Sequence, residues 1–162
     1  WYGRQAMDCP EDYEARANLL WTSSLAINGI LGYGKEASWS LHTIEHELSA
    51  FYDITHGVGL AILLPHWMRY ALSEQTLDKF VELGVNVWEL DREKDRNAIA
   101  QGAIEKTRAF LDTLELPGSL HEVGIGDEHL IEMAQNVTRI KNIQGFKPLN
   151  TQDVLNIYKA AL

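Results

Sequence analysis

An all-α fold of six to eight helices is predicted by three features of the sequence. Apolar residues recur at helical spacing along most of the chain. No stretch alternates with period two for long enough to make a strand. Capping and breaking residues (Asp12, Gly29, Pro117-Gly118, Asn150) punctuate the periodic segments at helical lengths. At 162 residues the chain has the length of one ordinary domain, and 1–162 is read as one.

Segment 1–10 reads as the end of an element whose beginning lies upstream, and a first residue of Trp1 keeps a piece of a longer chain in view. Tyr13, Ala17, Leu20, Trp21, Ser24, Ile27 and Ile30 then follow helical spacing, with Asp12 or Glu11 as cap and Gly29, Gly32 and Gly34 as breakers. Residues 39–52 predict a second helix through Leu41, Ile44, Leu48 and Phe51, and His56-Gly57 marks a junction. Segment 58–64 is apolar all round and is expected to be buried, with Pro65 starting a new turn or a kink. Leu77, Phe80, Val81, Leu83, Val87 and Trp88 make an amphipathic pattern, and 95–114 makes another, closed by Leu116-Pro117-Gly118. A helix over 127–141 and a last one capped by Asn150 or Thr151 complete the set.

Charge and composition exclude several classes. Basic residues number 14 against 23 acidic, a net charge of −9, whereas phosphate neutralisation needs clustered Lys and Arg, so no nucleic-acid partner is expected. The one cysteine, Cys9, forbids an internal disulfide and reads as a bystander. The longest apolar run, 59–65, is far too short to cross a membrane. No secretory signal is visible, and a cytoplasmic protein is expected.

Chemistry concentrates in the histidines. Of six, four lie between residues 42 and 66: His42, His46, His56 and His66. His42 and His46 are four apart on one predicted helix and share a face, so their rings can address one divalent ion. His56 follows beside Gly57, and neutral imidazole suits zinc, iron or copper. Three histidines still need a water or a carboxylate to complete a site. His42-Thr43-Ile44-Glu45-His46 also matches H-x-x-E-H, with Glu45 as a would-be hydrolytic base and Glu74, Glu82 or Glu105 as a third ligand. Otherwise Glu45 and Glu47 are expected on the helix surface, and Asp53 is a candidate to orient a ligand histidine.

A longer pattern covers the same residues. His42-x3-His46-Glu47-Leu48-Ser49-Ala50, then Asp53-x2-His56-Gly57-Val58-Gly59-Leu60 through Pro65-His66-Trp67 to Tyr70, resembles the second signature region of the iron-containing (group III) alcohol dehydrogenases, most strongly their NAD(P)H-dependent butanol dehydrogenase branch. Asn18-Leu19-Leu20-Trp21, Ala26-Ile27-Asn28-Gly29 and Pro148-Leu149-Asn150-Thr151-Gln152-Asp153-Val154 extend the resemblance to nearly the whole chain.

The resemblance implies the helical C-terminal, metal-binding domain of that fold, with an α/β domain that binds NAD(P)(H) expected upstream of residue 1. It implies a divalent metal, Fe2+ or Zn2+, with His42 and His56 as two of its ligands. His46 corresponds to a non-ligand histidine beside the reacting centre, assigned to proton relay. The family's other two ligands, spaced D-x3-H, have no counterpart before His42, since neither Asp8 nor Asp12 has a histidine four residues on. The implied substrate is a small alcohol or aldehyde. Tyr33 and Trp39 are candidate walls of its pocket, and 142–146 resembles a late loop near its mouth. Trp21, Trp67 and Trp88 are expected in the core. Without its upstream domain the chain is expected to be inactive and to expose apolar surface that drives a homodimer or oligomer. A helical assembly or binding module with vestigial histidines is the contrasting expectation.

Overall fold

The computed structural model describes residues 1–34 and 38–162, which hold eight α-helices and two short 3-10 turns. Among them the β pairing is confined to an isolated bridge between Ile143 and Leu149. The chain divides into two compact units, Trp1–Ala37 and Ser38–Leu162.

In the first unit, α1 (Tyr2–Asp8) leads through a tight turn to α2 (Tyr13–Ile27). Asp12 is the cap: its carboxylate accepts the Ala15 N–H at 3.0 Å and the Gln5 amide at 2.6 Å, tying the turn to α1. Those bonds, the Ala15 N–H first, hold the Asp12 carboxyl below the usual range. Gly29, in the left-handed region at φ 89°, ends the helix before the 3-10 turn Ile30–Gly32. Tyr13, Leu20, Trp21 and Ile27 on α2 all stand exposed. Trp21 is therefore not a core residue: the apolar residues of α2 are spread around the helix, and Ala15 is the one it fully buries.

The second unit contains α3 (Ser40–Tyr52), α4 (His56–Ala71), α5 (Leu77–Asn86), α6 (Arg96–Thr113), α7 (Leu130–Thr138) and α8 (Thr151–Ala160). The expected helix over 127–141 is shortened at both ends in α7, and Val87 and Trp88 fall beyond α5. Asn150 caps α8 in a reciprocal box with Asp153, each side chain accepting the other's backbone N–H.

Two apolar clusters share α4. Ile62 and Leu63 join Ile44, Leu48, Met133, Val154, Ile157 and Tyr158 on one side, while Met68 and Ala71 join Phe80, Ala100 and Ile104 on the other. Each fully buried Ile or Leu contributes about 1.5–3 kcal/mol relative to an exposed one. Trp67 packs against both clusters, and Trp88 stacks on Phe110 with centroids 5.9 Å apart.

Pro65 does not break α4, which runs through it. A proline at that position removes the N–H that would have bonded the Ala61 carbonyl. Arg108, on α6, reaches that carbonyl at 3.4 Å, and also those of Pro117 at 3.2 Å and Leu116 at 2.9 Å. One guanidinium thus serves the carbonyl freed by a proline and two more in the loop that follows α6, with Asp112 at 2.8 Å beside it. Arg108→Met keeps the apolar stem and removes the donors. It is expected to cost about 2–3 kcal/mol, the range for stranding buried acceptors, read as a lower urea midpoint at unchanged slope. Lys147 closes the far end of α4, donating to the Tyr70 carbonyl at 2.6 Å with its ammonium 4.1 Å from that ring's centre.

Candidate metal centre

Helical spacing places His42, Glu45, His46 and Ser49 along one stripe of α3. The chain then turns through Asp53, which adopts the left-handed conformation at φ 52°, and His56 opens α4 as its first residue. That short connection folds His56 back against the stripe. One ring nitrogen from each of His42, His46 and His56 comes within 4.8 Å of the others. The ring centroids are 6.4 Å apart for His42 and His46, 5.0 Å for His42 and His56, and 5.3 Å for His46 and His56.

The cluster fits a divalent cation by its donor chemistry and spacing. His42 Nδ1 and His56 Nε2 face each other at 3.0 Å. Two nitrogens about 2.1 Å from a shared ion are separated by about 3.0 Å at a right angle and about 3.4 Å at the tetrahedral angle. Burial, then the charges on His56 and His46, pull the His42 pKa below its usual value. This favours the neutral imidazole that binds metals. His46 is exposed and the other two are half-buried, so the cluster stays open to solvent.

Beneath it lies a fully buried carboxylate. Glu45 has no exposed surface, which corrects the expectation of a surface glutamate. Its Oε1 accepts the Ser49 hydroxyl at 2.7 Å, and its Oε2 meets Nδ1 of His56. Asp53, considered for contact with a ligand histidine, is exposed at the helix end, and it is Glu45 that meets His56. Glu45 could have been suspected from its place on the stripe of His42, His46 and Ser49; its contact with His56 crosses the turn and has no local signal. The same burial speaks against Glu45 as a hydrolytic base, since both its oxygens are engaged. Glu74, Glu82 and Glu105 take no part in the cluster among the described residues. Glu47 does lie at the surface, accepting the Asn136 amide at 3.0 Å.

Trp39 precedes α3 and meets His42 edge-on, with centroids 4.6 Å apart. It also lines a cleft of about 400 Å³ with Thr43, Asn136, Arg139, Ile140 and Asn142. The loop 142–146 closes onto Ser38, whose hydroxyl donates to the Gln144 carbonyl at 2.6 Å. A side chain at Gly145 (φ 139°) would lie 2.3 Å from the Ser38 Oγ, so glycine is what lets this loop close. The late loop and Trp39 therefore line one cleft, and Trp39 is the residue of it that meets His42. Tyr33 belongs to the first unit and is 87% exposed.

The profile described as "Fe-containing alcohol dehydrogenase family, C-terminal" matches residues 2–162. The chain is 54% identical over 160 residues to NADH-dependent butanol dehydrogenase A of Clostridium acetobutylicum, covering 98% of this chain and 41% of that protein. It also resembles the crystal structure of NADH-dependent butanol dehydrogenase A from Thermotoga maritima, with a TM-score of 0.87 at 32% identity over 97% of this chain and 41% of that one. The substrate- and cofactor-free aldehyde reductase YqhD of Escherichia coli gives a TM-score of 0.89 at 26% identity, over 99% of this chain and 42% of that one. The chain thus spans about two fifths of the length of these relatives.

Proposed function

The chain belongs to the Fe-containing alcohol dehydrogenase family, matching its C-terminal part, and we propose that it is the metal-binding helical portion of an NAD(P)(H)-dependent alcohol dehydrogenase or aldehyde reductase acting on small alcohols and aldehydes in the cytoplasm. The observation that carries this reading is the convergence of His42, His46 and His56. The names of the relatives support the substrate and cofactor classes.

In this reading His42 and His56 hold a divalent cation, Fe2+ or Zn2+, the remaining ligands come from an earlier helix upstream of this chain, and an N-terminal α/β domain binds the nucleotide. The exposed apolar residues of α2 are the kind of surface that a further domain, or another copy in a homodimer or oligomer, would cover. When bound, the cation and the nicotinamide supply Lewis acidity at the substrate oxygen and a hydride carrier. The chain's own residues do the rest. His46, exposed at the edge of the cluster, takes the hydroxyl proton as an alcohol is oxidised and, in the reverse direction, protonates the alkoxide formed when hydride adds to an aldehyde, giving the alcohol. Trp39 and the loop 142–146 narrow the approach to His42 and exclude water around a small apolar substrate.

The test is reduction of butanal with NADH and with NADPH, by the chain alone and by the chain fused behind the N-terminal portion of the Clostridium acetobutylicum relative. Background rates for the chain alone and turnover by the fusion are expected. Turnover by the chain alone, or a folded, metal-loaded fusion inert toward small aldehydes, would overturn the reading.

A further inference from the structure

We infer that Glu45 is the positioning residue of the metal centre: it holds His56 in the tautomer and orientation that leave Nε2 free for the cation. The inference rests on the metal reading above, and three observations on two helices support it.

The first is the pairing. Glu45 is fully buried with its Oε2 against His56 Nδ1, and a carboxylate acting there as acceptor places the ring proton on Nδ1. With the proton on Nδ1, the lone pair of a neutral ring resides on Nε2. That is the nitrogen turned toward His42 at 3.0 Å. A histidine that donates its other ring N–H to a carboxylate is also a more basic ligand and is fixed in its plane.

The second is the support of the carboxylate itself. Ser49, one turn on, donates to Oε1 at 2.7 Å and also lies 3.2 Å from the Ile54 carbonyl in the α3–α4 turn. This locks the glutamate rotamer to the connection that delivers His56.

The third is the space made for it. Gly59, in the first turn of α4, lies directly over Glu45: a Cβ there would fall 2.5 Å from Oε1, 2.8 Å from Cγ and 3.0 Å from Cδ. Gly57, on the same turn, has nothing within 4 Å of such a Cβ. Helix α4 is therefore cut away at the position where the carboxylate must pass. A buried charge is costly unless its partners are fixed, and here every neighbour is arranged to keep Glu45 beneath His56.

The test has two readouts: the His56 tautomer in the 162-residue chain, and zinc affinity in the fusion that also carries the remaining ligands. In metal-free protein, the ring 15N shifts of His56 report its tautomer. Wild type is expected to show Nδ1–H, and Glu45→Ala is expected to lose that preference. Zinc affinity, measured by competition with a chelating dye, is expected to fall about 10–100-fold in the same variant, the range for losing such a partner. Glu45→Gln, which keeps an acceptor oxygen, is expected to recover part of both. Because emptying a buried site can unfold the chain, Gly59→Ala serves as the second variant. It keeps the carboxylate but pushes it aside, and should shift the His56 tautomer and weaken zinc binding in the same direction. An Nε2–H tautomer for His56 in wild type would overturn the assignment, as would unchanged tautomer and affinity in folded Glu45→Ala and Gly59→Ala. A wild-type chain that shows the Nδ1–H tautomer beside a folded fusion that takes up no zinc supports the role of Glu45 in orienting His56 and counts instead against the metal reading.

Discussion

Replacing His42 by alanine is expected to strip the divalent metal from the fusion that carries the N-terminal portion, whereas replacing His46 is expected to leave the metal bound and slow the reaction. The two residues share a face of α3 and both come within 4.8 Å of His56, so proximity does not separate their roles. Their surroundings do. His42 is half-buried, meets Trp39 edge-on and faces the His56 nitrogen at 3.0 Å. His46 is solvent-exposed, which suits a group that must exchange a proton with water. Losing a ligand should exceed the 10–100-fold cost of losing a ligand's hydrogen-bond partner, so His42→Ala should weaken metal binding by on the order of 10³-fold. Losing a general acid–base group should cost about 10²–10⁴-fold in kcat at full metal occupancy. Metal content by mass spectrometry, anaerobic titration with iron(II) and zinc, and butanal reduction kinetics separate the two. If His46→Ala emptied the site as fully as His42→Ala, His46 would be a ligand and the proton would need another carrier. His56→Ala should match His42→Ala.

The helices were legible in the sequence wherever a cap and a periodic face agreed. Asp12, Asp95 and Asn150 each start a helix with a side-chain bond to its first turn, and each stands one or two residues before a periodic run. Boundaries drifted where apolar spacing continued past the hydrogen bonding, as at Val87-Trp88 and around α7; Val87 and Ile140 keep the spacing but stand exposed beyond the helix ends, so the pattern there carries no packing. Pro65 lies within α4 for a reason the local sequence does not carry. Whether a proline ends a helix depends on whether something else satisfies the carbonyl it frees, and the donor here, Arg108, is 47 residues away. The histidines were visible because three of them lie within one helix and the turn after it. Glu45 was misread as a surface residue because a glutamate on a helix is usually solvated. Its burial depends on Gly59 and His56 from the next helix, and that depends on the turn geometry. Trp21 was misread in the opposite sense, since an aromatic ring at helical spacing gives no information about which partner covers it.

Tyr158→Ala is expected to be the most damaging single change to the second unit, costing about 3–5 kcal/mol, the range for truncating a large buried aromatic ring. Tyr158 lies on α8 with no exposed surface, among Ile44, Leu48, Val154 and Ile157. Its hydroxyl crosses to α3 and donates to the Ile44 carbonyl at 2.6 Å. Burial, then the charges of Glu47 and Glu45, push its pKa far above that of an ordinary tyrosine, so it remains a neutral donor throughout the stable pH range. The hydroxyl and the ring can be weighed separately. Tyr158→Phe removes only the hydrogen bond and should cost about 1 kcal/mol. The remainder of the alanine effect is then the cavity. Because Ile44 lies between His42 and His46 on α3, this one side chain also fixes the axial position of the helix that carries two of the three histidines. Urea unfolding of the three proteins measures the cost, as midpoint shifts at a common slope, and zinc titration of the same variants in the fusion, while folded, measures the transmission. Tyr158→Phe should bind zinc within a few-fold of wild type, since the packed ring still sets the helix. Tyr158→Ala, if examined well below its own midpoint, should bind more weakly even while folded. An alanine variant within 1 kcal/mol of wild type would mean that α8 does not brace α3, and that the histidine stripe is held by the α3–α4 turn alone.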